Sequence, residues 1–180
     1  MRILGIDPGS NATGYGVVWV EGGVLRRLGG GTIRTRGDTL AERLGYLQRE
    51  LERAIGALAP EVAALESVFS AKNARSALVL GQARGVALAA CALAGLPTDE
   101  YTPSQVKVAV TGYGRAEKLQ VMKMVQRLLG LVAPPPSDEA DALAIAVCHG
   151  LSRRGPPRET AARGPLSRRA LEALAAERRA

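Results

Sequence analysis

The chain has 180 residues, 47 % apolar and 23 % charged, with 24 basic against 17 acidic side chains and a net charge of +7. That is enough chain for one domain with an extended core, and the balance excludes wholesale disorder. Aromatic residues are only 3 % of the total, so the core is expected to be Leu, Val, Ile and Ala, and any exposed ring becomes conspicuous.

Arg2–Asp7 reads as a short buried strand ended by the turn Asp7-Pro8-Gly9-Ser10. Tyr15–Val20 is a second strand, and Gly22-Gly23 turns it tightly into a third, Val24–Thr35. Leu40, Leu44, Leu47, Leu51, Ile55 and Leu58 recur at spacings of 4, 3, 4, 4 and 3, the stripe of an amphipathic helix. Thr39 and Glu42 form a capping-box pattern at its start and Pro60 stops it. Val62–Glu66 is another buried strand. Residues 73–94 predict a long, nearly uncharged helix that must be covered on several sides. Its Gly81 and Gly85 lie four apart, a spacing that suits close backbone approach, either inside the monomer or at a subunit interface. After Pro97 a brief strand reaches Tyr101, helices follow over 103–110 and 116–129, and Ser137 stands as an N-cap for a last helix, 138–150. The order predicts an α/β fold: an antiparallel meander continued by parallel strands, flanked by helices.

No stretch of about 18 uncharged apolar residues occurs, so no membrane span is expected. Met-Arg-Ile-Leu-Gly lacks the apolar stretch and cleavage site of a signal peptide. Cys91 and Cys148 make no metal-type pair and read as buried thiols, which points to a reducing, cytoplasmic setting. Residues 151–180 hold eight of the basic and three of the acidic residues, together with Pro156, Pro157, Gly164 and Pro165. We therefore divide the chain into a domain, 1–152, and a basic tail, 153–180, that is either a solvated solubility device or a phosphate-binding arm.

Four carboxylates break local rules. Asp7 and Glu66 each end an otherwise apolar strand, at the carboxyl edge where α/β proteins build sites. Asp138 and Asp141 lie three apart at the head of an Ala-rich helix and project from one face. Individually, Asp7 also suits a plain turn and Asp138 a helix start. Together they would repel one another, and hard divalent cations are the natural remedy, since two ions about 3.5–4 Å apart can share four such carboxylates.

Gly5-Ile-Asp7-Pro-Gly9, Leu65-Glu66-Ser-Val-Phe69, Tyr101-Thr-Pro-Ser-Gln-Val-Lys107, Thr111-Gly-Tyr-Gly-Arg-Ala-Glu-Lys118 and Ser137-Asp138-Glu-Ala-Asp141-Ala-Leu resemble the RuvC family of crossover junction endodeoxyribonucleases. The resemblance runs in order over about residues 1–150 and leaves the tail aside. It implies a ribonuclease-H-like fold and a homodimer that resolves four-way (Holliday) DNA junctions by paired symmetric nicks, in recombination and repair. It further implies a branch-migration partner of the RuvA and RuvB type. Asp7, Glu66, Asp138 and Asp141 are then both catalytic and metal-binding, holding two Mg²⁺ per subunit with Mn²⁺ as substitute, and Asp7 bridges the ions. No protein nucleophile is needed, and His149 is structural. Lys107 and Lys118 match family positions near the scissile phosphate. Lys72, Asn73 and Arg75 form a plausible phosphate grip, and Phe69, the sole Phe, suits a wedge against bases at the junction centre. Two other readings compete. Asp7-Pro-Gly-Ser-Asn-Ala-Thr-Gly14 also resembles the phosphate hairpin of actin-like ATPases and sugar kinases, which need a second lobe. An RNA-directed nuclease or a non-catalytic junction-binding module is the other.

Overall fold

The structure, a computed structural model, describes residues 1–67 and 74–152. Its strands are β1 (Arg2–Asp7), β2 (Ala12–Glu21), β3 (Val24–Arg34), β4 (Val62–Glu66) and β5 (Thr98–Tyr101). Its helices are α1 (Leu40–Leu58), α2 (Ala74–Leu93), α3 (Pro103–Thr111), α4 (Lys118–Leu128) and α5 (Ser137–Ser152). The sheet runs β3-β2-β1-β4-β5. β1–β2 and β2–β3 are antiparallel; β1–β4 and β4–β5 are parallel. This is the meander-then-crossover order expected. β2 extends beyond its expected bounds at both ends, whereas β3 stops one residue short of them, at Arg34.

Side-chain alternation along the strands divides the core in two. Leu4, Ile6, Ala63 and Leu65 pack with Val17 and Ile33 against Leu47, Leu51 and Ile55 of α1 and Ala83, Ala87, Ala90 and Cys91 of α2. The odd positions of β1 and even positions of β4, Ile3, Val62 and Ala64, face the other way. They meet Val106 and Val110 of α3, Val121 and Val125 of α4, and the run Leu143–Cys148 of α5. The same parity carries Asp7 and Glu66 onto the α5 face.

α5 is buried from Ala142 to Gly150 and lies on a glycine seat. A Cβ on Gly5 would come within 2.0 Å of the Ala142 carbonyl oxygen, and one on Gly14 within 1.9 Å of the Asp138 oxygen. Gly14 is also the cross-strand neighbour of Asp7. The seat therefore sets the head of α5 beside the end of β1.

α1 has the expected cap: Glu42 N donates to the Thr39 hydroxyl, and the Glu42 carboxylate accepts from Thr39 N at 3.0 Å. α5 begins one residue earlier than expected. Ser137 is already helical and the Pro136 carbonyl accepts from Ala140 N, because a carbonyl in that position closes the first turn without a side-chain cap.

α2 departs from expectation. It was to be covered on several sides, yet only Ala83, Ala87, Ala90 and Cys91 are buried. Leu78 and Leu93 remain 64 % and 78 % exposed, and nothing lies within 4 Å of a Cβ built on Gly81 or Gly85. Among the described residues, the glycine pair therefore packs against nothing. Arg84, between the two glycines, is ion-paired with Glu100 of β5 at 2.5 Å. By length and composition alone α2 is also apolar enough to cross a membrane, because two arginines in twenty residues do not cancel its alanines and leucines. In this fold one of those arginines is ion-paired and the alanine face is packed on α1 and the sheet.

Candidate metal and nucleic-acid site

Asp7 and Glu66 end adjacent parallel strands, which brings their carboxyl groups to the same edge and face of the sheet. Asp141, one turn into α5, joins them there. The three line a cleft of about 250 Å³ with Lys107 of α3, Lys118 at the head of α4, and an apolar floor of Val106, Val121, Ala144 and Ile145. Asp138 is half-buried at the helix head but does not line that cleft.

The carboxylates crowd one another. Burial, the charges of Glu66 and Asp141, and a hydrogen bond with Glu66 push the Asp7 carboxyl up to about 8, against a weaker pull from Lys118. Burial raises Glu66 as well, reinforced by Asp141 and opposed by its hydrogen bond with Asp7 and by Lys107 and Lys118. Burial alone would lower the Lys118 ammonium. Its hydrogen bond and attraction to Asp141, with the charges of Asp7 and Asp138, hold it above its usual range. The Lys118 Nζ to Asp141 Oδ2 distance is 2.5 Å.

The acids are thus satisfied in pairs, Asp7 with Glu66 and Asp141 with Lys118. Among the described residues, no three His, Cys, Asp or Glu side chains close into a ready-made metal cage. The donor set is nevertheless all oxygen, and a protonated Asp7 with a neutralising lysine is what a cluster of acids adopts without a cation. These residues fit hard divalent ions such as Mg²⁺ and Mn²⁺.

The remaining expected contacts divide. Lys107 and Lys118 flank the cleft. Arg75 is exposed in the first turn of α2, outside it. Phe69, Lys72 and Asn73 lie outside the described residues, as does the tail, 153–180. His149 is fully buried at the opposite end of α5, its Nδ1 hydrogen-bonded with the Tyr101 hydroxyl at 3.0 Å and 3.6 Å from Asp99, which suits a structural part.

Sequence reasoning missed two features. Arg43 of α1 donates to the Ser10 carbonyl at 2.8 Å and the Asn11 side chain at 2.7 Å, bracing the turn after Asp7. Glu139, read only as part of a helix-start run, is buried and bonded to Arg27 of β3. A charged residue inside a strand, just before a run of three glycines in that strand, was the available signal.

The profile of the family described as crossover junction endodeoxyribonuclease RuvC matches residues 3–149. A protein of that name from Hahella chejuensis is 54 % identical over 149 residues, covering 83 % of this chain and 87 % of its own. The structure of Thermus thermophilus RuvC superposes with a TM-score of 0.79 at 39 % identity, covering 86 % of this chain and 96 % of that one. Thermus RuvC in complex with a Holliday junction substrate matches with a TM-score of 0.78 at 37 % identity over the same shares. The mixed sheet is therefore the ribonuclease-H-like arrangement expected.

Proposed function

The chain belongs to the RuvC family of crossover junction endodeoxyribonucleases, hydrolases that resolve four-way DNA junctions, and from that premise we propose that Asp7, Glu66, Asp138 and Asp141 hold two Mg²⁺ ions that serve phosphodiester hydrolysis. The observation that carries this reading is the convergence of Asp7, Glu66 and Asp141 in one cleft, where burial and the neighbouring carboxylates push the Asp7 carboxyl up to about 8. When bound, the ions supply an activated water and stabilise charge on the departing 3′ oxygen.

The chain's own residues divide the other tasks. Asp7, at the centre of the sheet, would be a ligand common to both ions. Lys107 and Lys118 draw the scissile phosphate toward a cluster that would otherwise repel it. With Asp141 committed to a cation, Lys118, which is paired with that carboxylate here, would be free to meet the phosphate. The apolar floor of Val106, Val121 and Ile145 keeps bulk water from one side of the cleft. Lys72, Asn73 and Arg75 grip the flanking backbone, and Phe69 wedges between bases at the junction centre.

The working enzyme is a homodimer, since a two-fold junction needs two related cuts and each chain supplies one acidic cluster. The uncovered face of α2 around Gly81 and Gly85 supports that contact. Residues 1–152 are the nuclease domain and 153–180 a basic tail that assists DNA binding. The enzyme acts in the cytoplasm, downstream of a branch-migration complex of the RuvA and RuvB type.

A labelled four-way junction, the matching linear duplex and an RNA–DNA hybrid, each incubated with Mg²⁺, Mn²⁺ or EDTA, test the reading. Paired nicks in the junction alone, abolished by EDTA, are the expected result. Cleavage of the hybrid in preference to the junction, or cleavage in EDTA, overturns it.

A further inference from the structure

Glu139 lies between two proposed ligands, Asp138 and Asp141, yet its carboxylate does not enter the cleft. Its side chain is 5 % exposed, and its Oε1 accepts from Nε of Arg27 at 2.6 Å. Successive helical residues are about 100° apart, so Glu139 leaves α5 about 100° from Asp138 and about 160° from Asp141, nearly opposite the latter. Arg27 stands on β3, the edge strand, beyond β2 from the site. Gly30 of β3 makes room for the contact, since a Cβ there would come within 2.9 Å of Glu139 Oε1.

We propose that the Arg27–Glu139 ion pair is a positioning device that sets the rotation of the first turn of α5, and through it the aim of Asp138 and Asp141 into the metal site. Three points carry this. The pair joins a buried Glu139 to an Arg27 whose side chain is 34 % exposed, and such a pair gives little net stability, so its presence at this place asks for another task. A helix's first turn is the part that frays, because its N–H groups have no partners within the helix. The pair also anchors that turn on the side away from the cleft, where holding Glu139 fixes the direction in which Asp141 emerges. On the cleft side, among the described residues, Asp141 is held by Lys118, at 2.5 Å. Pairing with Arg27 further keeps the Glu139 charge out of a cluster already crowded with carboxylates.

The inference rests on the metal-site reading, and the test separates the two. Mn²⁺ alone is titrated into wild type, Asp141→Asn, Glu139→Gln, Arg27→Gln and Arg27→Lys, with the EPR signal of unbound Mn²⁺ as readout. Junction binding in EDTA and thermal melts run alongside. Asp141→Asn must lose Mn²⁺ binding; if it binds as wild type does, the metal-site reading fails and the positioning role falls with it. Given that control, Glu139→Gln and Arg27→Gln should weaken Mn²⁺ binding about tenfold, the size seen when the support behind a metal ligand is removed. Arg27→Lys should recover most of the loss, and junction binding in EDTA should be unchanged. Glu139→Gln keeps the buried shape, so it reports even if Arg27→Gln fails to fold. Unchanged Mn²⁺ affinity in folded variants, or lowered melting temperature as the sole effect, overturns the proposal and leaves the pair a structural contact.

Discussion

α2 and α5 look alike as sequences. Both are long, Ala-rich and nearly free of charge through their middles. In the fold they are opposites. α5 is covered from Ala142 to Gly150 and sits on glycines whose missing Cβ atoms admit its backbone, whereas α2 buries one narrow face and carries glycines that meet nothing. Apolarity reports that a helix must be covered, not by what. α5 is covered by its own sheet, which makes it the rigid carrier of the acidic cluster. The outer face of α2 stays exposed among the described residues, and the proposed dimer contact rests on it.

The largest effect should come from the head of α5. Asp141→Asn keeps size and shape but removes one ligand charge, so cleavage should fall by more than about a hundredfold while junction binding persists. Residual cleavage above that level would remove Asp141 from the ligand set. Asn also leaves Lys118 without its ion pair, so binding in EDTA should tighten as that lysine turns to phosphate.

The glycines separate the helices next. Gly14→Ala drives a Cβ into the Asp138 carbonyl, and Gly5→Ala does the same to Ala142. Backbone cannot yield as a flexible side chain does, so each should cost several kcal/mol, about 3 or more, in urea melts and displace α5. Gly81→Ala and Gly85→Ala meet no atom, and removing a helix-interior glycine should leave the monomer as stable or more so by about 0.5–1 kcal/mol. Gly81→Leu with Gly85→Leu should then dissociate the dimer in sedimentation without lowering secondary structure. A dimer that survives the double substitution would move the interface off this face.

Much of this was legible because strand alternation is strict. Once Ile3 and Leu4 are assigned to opposite faces, Asp7 must share a face with Ile3 and Gly5, and the same parity sends Glu66 with Val62 and Ala64. A carboxylate ending an apolar strand is therefore readable without coordinates. Spacing sets Asp138 and Asp141 on one face of α5 and Glu139 off it, but the sequence does not reveal where the Glu139 carboxylate goes. That depends on Arg27, 112 residues distant, and on the space Gly30 leaves for it. Arg84 escaped for the same reason, since its partner Glu100 belongs to a strand that only the tertiary fold brings beside α2.

The smallest effect tests the cluster's self-repulsion directly. In EDTA the folded protein holds a proton on Asp7 up to about pH 8, whereas the unfolded chain releases it near the ordinary aspartate value of 3.8. A carboxyl raised on folding stabilises fully below the unfolded value, and that contribution is lost as pH rises toward the folded one. The metal-free melting temperature should therefore decline between about pH 4 and pH 8, with Glu66, raised in the same direction, adding to the slope. Asp7→Asn carries no charge at any pH in that window. Its curve should be flatter and lie above wild type at pH 8, by roughly 2–8 °C for each kcal/mol of repulsion removed. Added Mg²⁺ should reverse the order, because a cation that binds only the folded state stabilises the intact cluster and finds fewer ligands in the variant. Parallel melting curves for the two proteins in EDTA would mean that Asp7 is not the group that strains the cluster. The comparison costs α5 nothing, since Asp7 stands on β1 and the glycine seat beneath the helix is untouched.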